Sequence, residues 1–277
     1  MTQPPPPPPP YRESVYRRRA HEIDFRIHGD DLQYVEIDLD PGEAAVAEAG
    51  AMLFMTDGVE MNTVFGDASE QQGGFFGKLV GAGKRLLTGE SLFMTVFEAT
   101  GRRVETVAFA APFAGKIVEA DLMELGGEIL CQKDSFLCGA KGIAIDIAFT
   151  KRLGTGFFGG EGFILQRIRG DGLAFLHAGG TVTRRTLAAG ERLKVDTGCL
   201  VAFQPSVDYD IEFVGGIKNT LFGGEGLFFA TMTGPGDVWL QSLPLSRLAN
   251  RLAGAFASRK GEGSLLGGLG DLLDGRE

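Results

Sequence analysis

Three histidines, His21, His28 and His177, are the whole imidazole inventory of this 277-residue chain. A metal-dependent enzyme of the common kind needs two or more histidines and a carboxylate converging on one ion. No HxH or HxxE pairing brings any of the three to such a site. Cys131, Cys138 and Cys199 form no CxxC pair and leave an odd count, which suits buried thiols in a reducing compartment. Gly154, Gly156 and Gly159 spell GxGxxG, but a strand from Phe163 to Ile168 is predicted next. A dinucleotide site needs a helix there, with its N-terminus on the pyrophosphate. Near Lys84 the glycine spacing fails the phosphate-loop pattern, and Arg85 stands where Ser or Thr belongs. No Ser-His-Asp or Cys-His spacing is present either. The reading is therefore no cofactor, no metal and no enzyme.

Glutamates following glycine are the most regular polar feature. One set lies at Gly42-Glu43, Gly127-Glu128 and Gly190-Glu191, each followed eight residues after its glycine by Gly50, Ser135 or Gly198. A second set, Gly89-Glu90, Gly160-Glu161 and Gly224-Glu225, opens apolar strands. Glycine supplies turn geometry, and glutamate at a strand start can cap backbone amides. The competing chemistry is a ring of carboxylates about a pseudo-threefold axis, holding a cation or a basic ligand. Glu90, Glu161 and Glu225 are its candidates.

The elements that must carry these residues are strands. Val35, Ile37 and Leu39 alternate with Glu36, Asp38 and Asp40, as on a half-buried strand. Ile143, Ile145, Ile147 and Phe149 repeat the pattern, as do Val207, Tyr209, Ile211 and Phe213. Glycine pairs break the runs, and the chain holds 42 glycines, roughly double the usual share of about 7%. Short strands with frequent glycine turns predict an all-β sandwich or barrel-like fold. The two Gly-Glu sets are 33 residues apart from Gly127 to Gly160, 34 from Gly190 to Gly224, and 47 from Gly42 to Gly89. This predicts three tandem copies of one β unit, over about 23–101, 102–172 and 173–240.

The first copy then carries an insertion, placed within Asp67 to Leu87. There Phe75, Phe76, Leu79 and Val80 lie near Lys78, Lys84 and Arg85, a composition suited to a membrane interface, a partner, or packing on the β body. Residues 1–22 read as a disordered tail whose proline run, Pro4 to Pro10, is polyproline II and can dock an aromatic groove. Residues 241–277 read as a C-terminal amphipathic helix and tail: Leu245, Leu248, Leu252 and Phe256 form one stripe, and Pro244 suits the first turn.

The formal charge of −9 argues against bulk nucleic-acid affinity. No apolar run reaches the roughly 20 residues of a spanning helix, and no secretory signal is visible. The expected location is cytoplasmic, with peripheral membrane contact as an extension.

The TGESLFM run (Thr88 to Met94), GTGFFGGEGFILQ (Gly154 to Gln166), FGGEGLF (Phe222 to Phe228) and GPGDVWLQSLP (Gly234 to Pro244) resemble phrases of the altered-inheritance-of-mitochondria family. The resemblance extends over roughly Ile23 to Leu252. It implies three β repeats related to the double-stranded β-helix, similar to the subunit of the ring-forming tryptophan RNA-binding attenuation protein, and homo-oligomers. It supplies no catalytic residues, and fold relationship alone does not transmit RNA binding. The resulting expectation is a non-enzymatic, oligomeric scaffold that binds a protein or membrane surface through Phe75, Phe76, Leu79, Lys84, Arg85, Leu248 and Leu252. A small-ligand or RNA-binding ring is the alternative, and an enzyme of unrecognised type ranks last.

Overall fold

A computed structural model describes residues 18–48, 50–65, 93–151, 163–214, 227–249 and 251–252. Apart from one short helix and brief 3-10 turns, the regular structure is antiparallel β. The strands of the first stretch are β1 (Asp24–His28), β2 (Tyr34–Leu39), β3 (Ala44–Glu48), β4 (Met52–Met55), β5 (Val59–Phe65) and β6 (Phe93–Ala99). Then come β7 (Glu105–Ala110), β8 (Gly115–Asp121), β9 (Glu128–Gln132), β10 (Phe136–Ala140), β11 (Ala144–Lys151) and β12 (Phe163–Arg169). The series ends with β13 (Leu173–Gly179), β14 (Val182–Leu187), β15 (Arg192–Asp196), β16 (Leu200–Phe203), β17 (Asp208–Val214), β18 (Leu227–Thr233) and β19 (Gly236–Gln241).

Alternation decides which side of a strand is dry. In β2, Val35, Ile37 and Leu39 are buried while Tyr34, Glu36 and Asp38 are half-exposed, as the period of two requires. In β11 the same alternation slips. Ile145 is buried, but a bulge between Ile147 and Phe149 shifts the register, so Ile147 faces Gln166 and Phe149 faces Leu165. Glycine sets the turn that leads into β3: Gly42 adopts φ +88°, and Glu43 donates its amide to the Asp40 carbonyl at 2.8 Å.

The strands form four sheets, ordered β1-β2-β7-β4, β5-β6-β3-β10-β13-β8, β11-β12-β9-β16-β19-β14 and β15-β18-β17. The pairings recur along the chain. β3 lies beside β6, β9 beside β12 and β15 beside β18. Likewise β4 lies beside β7, β10 beside β13 and β16 beside β19, each with a register shift near its start. β10 also adds to β3, and β16 adds to β9.

Two hydrophobic clusters fill the interior. The larger holds Phe97 edge-on to Phe109 at 5.0 Å, and Phe25 edge-on to Phe175 at 4.9 Å. The smaller gathers Phe163, Leu165, Phe203 and Met232, with Tyr209 5.1 Å from Phe203.

The segment before β1 is tied to the second half of the chain. Asp171 accepts from the backbone amides of Arg19 (2.8 Å) and Ala20 (3.0 Å), Ala20 enters the core, and Arg18 pairs with Asp121 at 2.8 Å. At the other end residues 245–249 and 251–252 are helical, with the Pro244 carbonyl accepting from Arg247 and Leu248. The leucine stripe there is largely uncovered: Leu245 and Leu252 are exposed and Leu248 is half-buried. Among the described residues no helix is long and apolar enough to cross a membrane.

Candidate functional site

The glutamates that open strands divide by location. Glu90, Glu161 and Glu225 lie outside the described residues, as do Phe75, Phe76, Leu79, Lys84 and Arg85. The first Gly-Glu set is described, and it works on the backbone. Glu43 takes the Asp40 amide at 2.9 Å, and Glu191 takes the Ala188 amide at 2.8 Å, each closing its own turn. Glu128 instead pairs with Arg167 of the neighbouring strand at 2.9 Å. The Gly190 turn, at φ +76°, repeats the geometry of Gly42.

The histidines do not converge. His21 uses Nδ1 to accept the Ala44 amide at 2.8 Å, and burial with Lys141 nearby lowers its pKa. His28 stacks on Tyr34 at 4.8 Å and meets Glu36 at 3.1 Å. His177 is buried edge-on to Phe113 at 4.5 Å, and burial pulls its pKa down to about 4, so the ring is neutral. Cys131 and Cys138 are fully buried, which pushes both thiols well above their ordinary range. Cys199 is half-buried, and Arg247 reaches its Sγ at 3.6 Å. Among the described residues no group of three or more His, Cys, Asp or Glu side chains can hold a metal ion.

Several carboxylates are matched by nearby donors. Arg26 holds Asp38, to which Thr106 also donates at 2.8 Å, and the Asp38 carboxyl is lowered by these bonds. Arg184 and Thr186 do the same for Asp237, with Arg184 stacked 5.2 Å over the Trp239 ring. Glu105, only 3% exposed, accepts from the Thr56 hydroxyl at 2.5 Å and from Arg103 at 3.0 Å. Its carboxyl lies below the ordinary range for that reason.

Glu48 departs from this order. It ends β3 where β10 is added, and burial raises its pKa to about 7, helped by Asp134 and opposed by Lys133 and a bond from Gln166. A carboxyl that titrates near neutrality is suited to proton transfer or to sensing pH. Here it sits at a seam between strands.

The feature that stands open is β4. Its four residues are all apolar and all exposed: Met52 at 38%, Leu53 at 51%, Phe54 at 41% and Met55 at 38%. The strands with the same pairing, β10 and β16, bury every residue. The Gly-Glu spacing does not point to this run. The available signal was four successive apolar residues, with no polar alternation, placed like two other apolar runs in the chain.

The sequence pattern of the family described as mitochondrial biogenesis AIM24 matches residues 25–243. The chain belongs to the AIM24 family. It is 31% identical over 220 residues to an uncharacterised protein of Streptococcus pyogenes serotype M6, covering 79% of this chain and 84% of that protein. The crystal structure of Streptococcus pyogenes protein SPYM3_0169 superimposes with a TM-score of 0.66 at 28% identity, covering 84% of this chain and 99% of that one. The AIM24 match spans β2 through β19 entire, so it takes in the exposed β4, the Glu48 seam and both hydrophobic clusters.

Proposed function

We propose that this AIM24 protein is a non-enzymatic scaffold built of three β repeats, whose work is to assemble and to present a surface to a protein or membrane partner. The observation that carries the reading is the contrast between committed chemistry and uncommitted surface. The described histidines are scattered, two thiols are sealed in the core, and the carboxylates of Asp38, Glu105 and Asp237 are spent on neighbouring side chains. The contiguous apolar strand β4, by contrast, faces solvent. Exposed apolar runs of this kind mark contact surfaces on soluble proteins. Recurrence of the same strand pairings favours repeats that bury one another's faces, as in the double-stranded β-helix arrangement. The short helix after Pro244, with Leu245 and Leu252 exposed, is a second contact element.

Light-scattering mass of the full-length protein across a concentration series tests the proposal. A stable multiple of 29.5 kDa is expected. A monomer at every concentration overturns the assembly. Absorbance near 260 nm in excess of that from one Trp and four Tyr would turn the reading to a ring that holds a nucleotide or RNA.

A further inference from the structure

β3, β9 and β15 hold the same place in the pattern of pairings, and each ends on a polar side chain: Glu48, Gln132 and Asp196. Register makes the first two equivalent. Ala47 lies opposite Cys138 of β10 and Cys131 opposite Ala202 of β16, and Glu48 and Gln132 are the residues that follow. Gln132 shows what the position does. It is buried, and its Nε2 donates to the Thr197 carbonyl at 2.5 Å, tying β9 to the turn that leads into β16. Asp196 turns back on its own segment, accepting from the Gly198 amide at 2.9 Å and pairing with Arg247 at 3.2 Å.

Glu48 brings a different group to the same place. Lys133 and Asp134, in the turn that leads into β10, act on it, and Gln166 of β12 donates a side-chain hydrogen bond to it. Gln166 lies opposite Cys131 in the β9–β12 ladder and is 1% exposed. Its amide nitrogen is used on Glu48, but its Oε1 is sealed from solvent and has no hydrogen-bond partner. A buried acceptor left without a donor is costly, and native proteins rarely tolerate one. An ionised Glu48 cannot help, because a carboxylate only accepts. A protonated Glu48 presents one O–H and one C=O, the complement of the C=O and N–H of an amide. The proton also lets Glu48 donate, as Gln132 does at the equivalent position.

We infer that Glu48 and Gln166 form a neutral carboxylic acid–amide pair, a proton-operated latch that fastens the end of β3 to β12. The proton completes two hydrogen bonds, from Glu48 O–H to Gln166 Oε1 and from Gln166 Nε2 to the other Glu48 oxygen. Its loss leaves a carboxylate near that of Asp134, opposed by Lys133, beside an amide oxygen with no donor. Among the described residues the other strands at this seam add no charge. Cys131 of β9 and Cys138 of β10 are kept as thiols by burial, and β6 places Met94 opposite Glu48. Glu48 titrates at about 7, so the latch changes state in the neutral range. The Glu48 carbonyl also accepts the Ala51 amide at 3.3 Å, in the turn that leads to β4. Release therefore loosens the approach to the exposed apolar strand. That last consequence for the contact surface rests on the scaffold reading above, and the latch itself does not.

Infrared difference spectra of the full chain test the pair directly. Near pH 6 the wild type should show the C=O stretch of a protonated carboxyl that Glu48→Gln lacks, and the band should be gone by about pH 9. Gln166→Met should move this band to higher frequency, as for a carboxyl that has lost its hydrogen bonds. Gln166→Asn keeps an amide but draws it back by one methylene, and should move the band in the same direction. Absence of the band near pH 6, or a band indifferent to both changes at Gln166, overturns the pair. Hydrogen exchange at the Ala51 amide reads the latch. Taking the ratio of wild type to Glu48→Gln at each pH cancels the intrinsic base catalysis of exchange. That ratio should rise by about tenfold or more from pH 5.5 to pH 8. A ratio that stays flat shows that the proton does not hold the seam, and the latch is then wrong. Either failure leaves the scaffold reading to its own test, the light-scattering mass.

Discussion

β10 and β4 occupy the same place in the pattern of pairings and live in opposite surroundings. Both are short, both follow a tight turn, and both lean on the strand behind them through a shifted register. Yet Phe136, Leu137 and Cys138 are buried, and Met52, Leu53 and Phe54 are exposed. The difference lies in what covers each strand, since the local sequences are similarly apolar. Burial here is a property of the neighbour: β10 has a strand on each side, β3 and β13, whereas β4 has β7 on one side and ends its sheet on the other.

The sharpest way to break the comparison is to place the same substitution at both strands. Leu137→Ser leaves a cavity and a buried hydroxyl in β10, and should cost about 3–5 kcal/mol in urea unfolding. Glu48→Gln probes the seam on which β10 sits. Its folded pKa of about 7 lies above the ordinary 4.5, so the folded state holds the proton more tightly than the unfolded chain. Glu48 therefore lowers stability as pH rises from about 4.5 to 7 and exerts its full cost above 7. The Gln variant should gain no more than about 3 kcal/mol at pH 8. Near pH 4 it should gain almost nothing, and a pH-independent difference would refute this account.

Gly42→Ala and Gly190→Ala form a matched pair in the turns leading to β3 and β15. Both glycines have left-handed φ, and an added Cβ would touch nothing within 4 Å at either. Each should lose about 1–2 kcal/mol through backbone strain alone. Unequal losses would show that the two turns differ in more than their surroundings. The smallest effect belongs to Leu53→Ser, within about 0.5 kcal/mol for the isolated chain, measured at a dilution where no assembly exists. A large loss there would mean that β4 is already covered within its own chain.

The strands themselves were legible. Val35, Ile37 and Leu39 announced β2, and the glycine punctuation marked an all-β chain. The turn-closing role of Glu43 and Glu191 was also readable, because a glutamate just after a turn glycine can reach back to a free amide. Three things were not. The slip at Ile147 comes from pairing with β12, which local alternation cannot foresee. The docking of Arg19 and Ala20 on Asp171 joins positions far apart in sequence, and neither partner has a distinctive neighbourhood. The exposure of β4 depends on which sheet ends where, a fact of topology that apolar composition conceals.

That long-range clasp has a consequence for the birth of the protein. Arg19 leaves the ribosome 152 residues ahead of Asp171, the carboxylate that receives its amide. At about 5–20 residues per second, synthesis imposes a wait of roughly 8–30 s before Arg19 and Ala20 can be seated on Asp171. During that interval β1 and β2 can pair with each other, but Arg19 and Ala20 stay without their acceptor until Asp171 has been made. A fast-folding module fused in front of Arg18 would thus be complete while its host still lacked the latch that fixes the two together.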